Sequence, residues 1–212
     1  MNLPLKCLIS AGPTREWIDA ARFISNPSSG KMGFALAEEA RDSGMEVTLI
    51  SGPVNLPNPD DILVRRVETC LEMKEVIMEY FSTSDLIIMS AAVSDHRPKF
   101  PVTAKMNKGE FPASLEMEPN PDILQDLGKL KSSTQTLVGF AAETNDHLAK
   151  GKSKLIRKNL DWIVVNDISN TEIAFGSDLN EITILSKEGD KIFVPLSSKK
   201  KVAGHILEIV CQ

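Results

Sequence analysis

The chain has 212 residues, 42% of them apolar, which is enough for one sizeable core and too short for two independent domains of ordinary size. Its formal net charge of -5 excludes a nucleic-acid coat, which needs a basic face, while allowing a local basic pocket for a small anion. Cys7, Cys70 and Cys211 lie far apart without Cys-x-x-Cys spacing, so neither a disulfide framework nor a zinc site is indicated, and no apolar run nears the roughly 20 residues that span a bilayer.

Residues 1–6 lack the long apolar core of a secretory signal, which predicts a cytoplasmic protein. Residues 5–10 predict a first buried strand, opening through Ala11-Gly12-Pro13-Thr14-Arg15-Glu16 into a tight turn. In a doubly wound sheet such a turn overlooks the ligand crevice, although this one carries no Gly-x-Gly-x-x-Gly fingerprint. The first helix is expected to start late, behind an irregular loop containing Trp17-Ile18-Asp19. Arg22-Phe23-Ile24-Ser25 reads as an apolar strand that hands over, through Asn26-Pro27-Ser28-Ser29-Gly30-Lys31-Met32-Gly33, to a helix continuing over residues 34–40. Ser28 or Ser29 is the expected N-cap, and Gly30 and Gly33 keep the first turn bare. Backbone N–H groups, two hydroxyls and the Lys31 ammonium at the positive end of a helix dipole suit a phosphate or a carboxylate. A plain capped helix packed on a strand has the same pattern, so the neighbours must decide.

Gly44 is the expected C-cap of that helix, and residues 46–51 form a second strand that completes a βαβ unit. Residues 62–67 predict a third strand. Leu71, Met73, Val76, Ile77, Tyr80 and Phe81 give the inner stripe of a helix over about 69–82. Residues 85–93 predict a fourth, deeply buried strand that turns polar at Ser94-Asp95-His96-Arg97. Met89 and the small residues Ser90, Ala91 and Ala92 at its end let a flat ligand lie against backbone, and Asp95 can accept hydrogen bonds from a ribose or base, or hold Mg²⁺. Small residues also fit beneath a helix. His96 has no partner at triad or ligand spacing and reads as a surface residue.

Residues 99–117 break the rhythm and read as an excursion, a hairpin or flap carrying Lys105 and Lys108. Loop lysines are ordinarily solvated charge, but a mobile lysine over a phosphate site neutralises a triphosphate and excludes water. Asn120-Pro121-Asp122-Ile123-Leu124 starts a helix with Pro in its first turn. Residues 136–144 form a fifth strand whose Phe140 either stacks on a base or fills the core. In the basic helix that follows, over about 145–159, Lys154 and Lys158 stand at i, i+4 on one side, either a solvated face or a pair turned to anionic oxygens. Residues 161–167 predict a sixth strand, 175–180 a turn, 181–194 an alternating hairpin and 199–210 a closing amphipathic helix. The whole predicts one domain over 1–212: α/β, a Rossmann-like three-layer α/β/α arrangement with a mainly parallel sheet, a flap at about 97–117 after strand four and a C-terminal β-hairpin.

A family resemblance rests on Gly12-Pro13-Thr14-Arg15-Glu16, Arg22-Phe23-Ile24-Ser25-Asn26 with Ser28-Ser29-Gly30-Lys31-Met32-Gly33, Ala91-Ala92-Val93-Ser94-Asp95, Asn120-Pro121-Asp122-Ile123, Gly139-Phe140-Ala141-Ala142-Glu143-Thr144, Lys158-Asn159-Leu160-Asp161 and Asn166-Asp167, in that order. Over about residues 9–204 the chain resembles phosphopantothenoylcysteine synthetase, the coenzyme A pathway ligase that many bacteria fuse behind the matching decarboxylase. It reads as either a stand-alone enzyme or an excised domain. The resemblance implies a two-step acyl transfer. The carboxylate of 4′-phosphopantothenate attacks the α-phosphate of CTP, or of ATP, releasing pyrophosphate; the amine of L-cysteine then displaces the nucleotide from the acyl-nucleotide, with Mg²⁺ as the nucleotide's companion. It further implies that Lys105 is the flap lysine of the first step, that Arg22 and Asn26 serve the second, and that Ala92 lets the intermediate pass close to the strand. Nucleotide contacts would fall at Met89, Ser90, Ala91, Asp95, Lys105, Pro121, Asp122, Ile123, Leu124, Phe140, Lys154 and Lys158, with Gly12 and the Ser28, Ser29, Gly30, Lys31 mouth also in the site. The family's Lys-Ile-Lys-Lys flap run reads Lys105-Met106-Asn107-Lys108 here, without the middle lysine, and His96 stands where an aromatic is frequent. Family members are homodimers with shared sites, which makes the final hairpin and the loop bearing Arg22 candidate contacts.

The main rival, an NAD(P)-dependent oxidoreductase, lacks its glycine fingerprint and its Tyr-x-x-x-Lys pair, since Tyr80 is followed by Ser84. A non-enzymatic flavodoxin-like nucleotide-binding module needs neither Lys105 on a flap nor the Arg22 and Asn26 pair.

Overall fold

The computed structural model describes residues 3–143, 145–167 and 177–211. Thr144 and residues 175–176 of the predicted turn lie outside the described residues. The chain begins with β1 (Lys6–Ala11), a short hairpin of β2 (Arg15–Asp19) and β3 (Arg22–Ser25), and α1 (Lys31–Asp42). It continues with β4 (Glu46–Ser51), β5 (Leu63–Arg66), α2 (Cys70–Phe81) and β6 (Leu86–Met89). Two small strands, β7 (His96–Pro98) and β8 (Met117–Pro119), then bracket the flap, ahead of α3 (Ile123–Leu130), β9 (Thr136–Glu143) and α4 (His147–Arg157). The last elements are β10 (Trp162–Asp167), β11 (Leu179–Ser186), β12 (Lys191–Ser198) and α5 (Lys199–Val210).

Eight strands form one sheet in the order β12-β11-β10-β9-β6-β1-β4-β5. All pairs from β10 to β5 are parallel, whereas β11 and β12 add antiparallel to the β10 edge. One core layer packs α1 and α5 over the sheet around Ile9, Leu36, Leu49, Ile88, Val202 and Ile206. The opposite layer packs α2, α3 and α4 around Leu8, Met73, Ile77, Leu127, Leu155 and Ile163. The expected three-layer α/β/α fold is therefore present. From β1 the chain winds first to β4 on one side and later to β6 on the other, so the strand order reverses between β1 and β6. A crevice opens beyond the carboxyl ends of strands at such a reversal, between Ala11-Gly12 and Met89-Ser90.

Several local readings are corrected. Trp17-Ile18-Asp19, expected in an irregular loop, belong to β2, which pairs with the expected strand Arg22–Ser25 in a hairpin closed by Asp19, whose carboxylate accepts from the N–H groups of Ala21 and Arg22 at 2.8 and 2.9 Å. Neither serine caps α1: Gly30 occupies that position in the left-handed region, φ 76°, with no side-chain cap bond, and Ser28 Oγ accepts instead from Gly30 N–H at 3.3 Å. Ser43 is the C-cap of α1, and Gly44 follows it at φ 84°. On α2, Leu71 points outward at 48% exposure, and Cys70 is buried in its place. Pro121 precedes α3 rather than entering its first turn, and Asp122 is the cap, accepting from Gln125 N–H at 3.0 Å.

Candidate active site

Two adjoining cavities occupy the crevice. The first, about 360 Å³, is lined by Asn26, Ser28, Ser29, Gly30, Lys31, Gly33, Ser90, Ala91, Ala92, Phe140, Lys154, Asn166, Asn180 and Lys199, among others. The second, about 330 Å³, is lined by Met89, Ala91, Val93, Ser94, Asp95, Asn120, Pro121, Asp122, Ile123, Leu124, Phe140, Lys154 and Lys158. Ala91, Val93, Phe140 and Lys154 belong to both, so the two form one bent cleft. Most of the sequence-derived candidates are thus brought together, from elements as far apart in the chain as α1 and α4.

The mouth of α1 can sit deep in the crevice because Gly33 has no side chain. A Cβ there would come within 2.4 Å of the Ala11 Cβ and 2.7 Å of the Ser90 Oγ. Gly30, Lys31, Met32 and Gly33 at its start all line the first cavity, at the positive end of the helix dipole. The end of β6 is pinned by its neighbours: Ser90 Oγ donates to the Ser10 carbonyl at 2.6 Å, and Ala92 N–H to the Gly12 carbonyl at 2.8 Å. Asn26 ties the β3-α1 loop across to this end by donating Nδ2 to the carbonyls of Ala92 and Val93, at 3.1 and 3.2 Å.

Among the described residues, three lysines and no carboxylate line the first cavity. Burial, followed by repulsion from Lys158, holds Lys154 below the ordinary lysine value. Burial, followed by repulsion from Lys31, does the same for Lys199. Lys31 pairs at 2.6 Å with Asp178, which is 84% exposed at the rim and held below the usual carboxylate range by that lysine. In the second cavity Lys158 pairs with Asp122 at 2.7 Å. Burial alone would raise the Asp122 carboxyl, but the bonds from Lys158 and Gln125 N–H outweigh it and the net shift is downward.

Gly12, Arg22 and Lys105 line neither cavity of their own chain. Gly12 packs beneath Gly30, where its Cα would lie 3.4 Å from a Cβ at that position, and supports the mouth from behind. Arg22 is held at 2.6 Å by Asp19 and lies over the Phe111 ring at 4.5 Å. The flap docks on the hairpin through Val102 N–H to the Ile18 carbonyl at 3.1 Å and Met106 N–H to Asp19 at 3.2 Å. The lysine flap therefore does not face the serine and glycine mouth across the cleft, as the sequence suggested; Lys105 is exposed on a flap clipped to β2-β3. Sequence reasoning also left Asn166, Asn180 and Lys199 out of the site. Asn166, marked in the sequence only within the Asn166-Asp167 resemblance block, closes the parallel strand β10 beside Ala142 of β9, whereas the antiparallel pair β11-β12 brings Asn180 and Lys199 to the cleft.

The sequence profile of the DNA/pantothenate metabolism flavoprotein C-terminal domain matches residues 4–212. The chain belongs to that family. Among curated relatives, the coenzyme A biosynthesis bifunctional protein CoaBC of Bacillus subtilis is 45% identical over 202 residues, covering 95% of this chain and 50% of the relative. The chain thus spans about half the length of such relatives. Among solved structures, the C-terminal domain of a CoaBC protein superposes with a TM-score of 0.83 at 40% identity, covering 97% of this chain and 93% of that one. A Cab2 H337A mutant in complex with phosphopantothenate-cysteine shares the fold, with a TM-score of 0.79 at 18% identity, covering 98% and 85%. The resemblance drawn from the sequence blocks is borne out at the level of the family.

Proposed function

We propose that the chain is a phosphopantothenate–cysteine ligase. It joins 4′-phosphopantothenate and L-cysteine through an acyl-nucleotide, with CTP as the favoured nucleotide, and releases the nucleoside monophosphate and pyrophosphate in coenzyme A biosynthesis. The observation that carries this reading is the first cavity: a helix mouth and three lysines, with no carboxylate among the described lining residues, make a polyanion site in a chain whose net charge is negative. The adjoining cavity suits the nucleoside, with Phe140 for the base and Asp95 for ribose hydroxyls. The CoaBC names of the relatives support the pathway, and the phosphopantothenate-cysteine bound to the Cab2 mutant supports the substrate pair.

In this reading Ser28, Ser29, Gly30 and Lys31 take the β- and γ-phosphates. Lys154 bridges toward the α-phosphate, and Ala92 leaves room for the acyl group beside Asn26. Among the described residues no carboxylate lines the first cavity and no three His, Cys, Asp or Glu cluster, so these residues form no cage for Mg²⁺; the ion would travel with the phosphates. Because Asp19 holds both Arg22 and the flap, Arg22 and Lys105 form one unit that must serve the same cavity. A homodimer would let that unit reach a second copy's cleft, and the exposed Phe23, Ile24, Phe193 and Leu196 offer apolar contacts for it.

Pyrophosphate released only when CTP and 4′-phosphopantothenate are both present, before any cysteine is added, is the expected result. No release, or hydride transfer to NADP⁺ instead, refutes the ligase. Thermal shifts with CTP and ATP rank the nucleotides.

A further inference from the structure

Part of the wall of the first cavity comes from the antiparallel end of the sheet and from α5. Asn166 lies near the end of β10, Asn180 near the start of β11, and Lys199 opens α5. Asn166 Oδ1 is buried there and accepts no hydrogen bond from the described residues. A buried acceptor without a donor is costly, and its presence in a ligand cavity asks for a ligand that donates. Triphosphate and pyrophosphate are acceptors throughout and cannot supply that donor. An amine can. Lys199 adds the complementary half, an ammonium that reaches the same cavity while donating to the Ser177 carbonyl.

We infer that Asn166 and Lys199 form the seat of an α-amino acid, which is L-cysteine in the ligase reading on which this inference rests. Asn166 Oδ1 accepts from the amine, and Lys199 pairs with the carboxylate. The surrounding cations favour the neutral, nucleophilic amine, because a further ammonium would be repelled. They also become available once pyrophosphate has left. The amine nitrogen then bonds to the acyl carbon, the bond from that carbon to the nucleotide's phosphate oxygen breaks, its electron pair stays on that oxygen, and the nitrogen releases one proton to solvent. Burial and repulsion from Lys31 pull Lys199 below the ordinary lysine value although Asp178 opposes them, and a carboxylate ligand would add to that opposition.

The test uses the full chain with CTP and 4′-phosphopantothenate, and compares kcat/KM for L-cysteine with that for cysteamine, which keeps the amine and the thiol but has no carboxylate. The wild type should prefer cysteine by about tenfold or more. Lys199→Gln should shrink that preference to about twofold, and damage to phosphate binding cancels in the ratio. Asn166→Leu should raise KM for both amines about tenfold while moving KM for 4′-phosphopantothenate far less. A wild type without preference, a Lys199→Gln enzyme that keeps it, or an Asn166→Leu enzyme with an unchanged amine KM overturns the seat. Absence of amine-independent pyrophosphate release from the wild type overturns the ligase reading and the seat with it. Normal release with unaltered amine selectivity in both variants overturns the seat alone.

Discussion

Asp122 performs two tasks at once, capping α3 through Gln125 N–H and holding Lys158 at the cleft. Removing the cap with Asp122→Ala should cost about 1 kcal/mol in chemical denaturation, and Asp122→Asn, which keeps the cap acceptor, should recover most of it. Equal losses in the two variants would mean that the ion pair, not the cap, carries the effect. The sequence placed the start of α3 but set Pro121 inside its first turn, one step ahead of the Asp122 cap. It misassigned the cap of α1 because the rule of acceptor caps does not apply there. Gly30 turns through a positive φ with no capping side chain, and it lines the first cavity. Phe140, which the sequence left undecided between core and ligand, is half-buried and lines both cavities, so its position serves each reading in part.

Among elements, the β2-β3 hairpin and the flap depend on Asp19. Its carboxylate is nearly fully buried and accepts from Ala21, Arg22 and Met106. Asp19→Ala should detach the flap, and limited proteolysis should then cut within residues 99–117 several-fold faster than in the wild type. An unchanged cleavage pattern would assign the docking to the Val102 bond and the Phe111 contact instead. On α1, Gly33→Ala forces a methyl into Ala11 and Ser90. Overpacking of this kind costs about 1–3 kcal/mol and lifts the helix mouth away from β6, so a lowered melting temperature and weakened nucleotide binding should appear together. Long periodic elements such as β4, α2 and α5 were legible because burial repeats along them. β3 was legible as a short apolar run, but its partner β2 was not, because the hairpin lies outside the main sheet and exposes Phe23 and Ile24 at 40% and 37%, so its pattern is no guide to a core.

At the level of the whole molecule, the three-layer, mainly parallel architecture followed from alternating strands and helices, whereas part of the cleft wall did not. Nothing local in Asn180 or Lys199 announces that the antiparallel pair β11-β12 carries them to the crevice. Across the base of the same sheet, Asp161 gathers Lys131, Lys187 at 2.8 Å and the Leu137 N–H at 2.8 Å. Burial alone would raise its carboxyl, but these donors outweigh it and the folded value lies below the ordinary one. The stabilisation it gives is therefore full above the unfolded value of about 3.9 and is lost as pH falls through the lower folded value. Asp161→Asn should lower stability by about 1.5–3 kcal/mol at pH 7 and flatten its loss below about pH 4, as followed by denaturation at stepped pH.

The cations of the first cavity also sort anions by size before any contact is made. A polymer such as RNA must approach an exterior that is negative overall, whereas a small anion can enter the cleft and meet the lysines that line it. Capture rates for small polyanions should therefore fall as ionic strength rises from 10 to 150 mM, where the Debye length contracts from roughly 30 to 8 Å, while long polyanions gain nothing at either end. Stopped-flow association measured across that range would show the cleft acting as a filter.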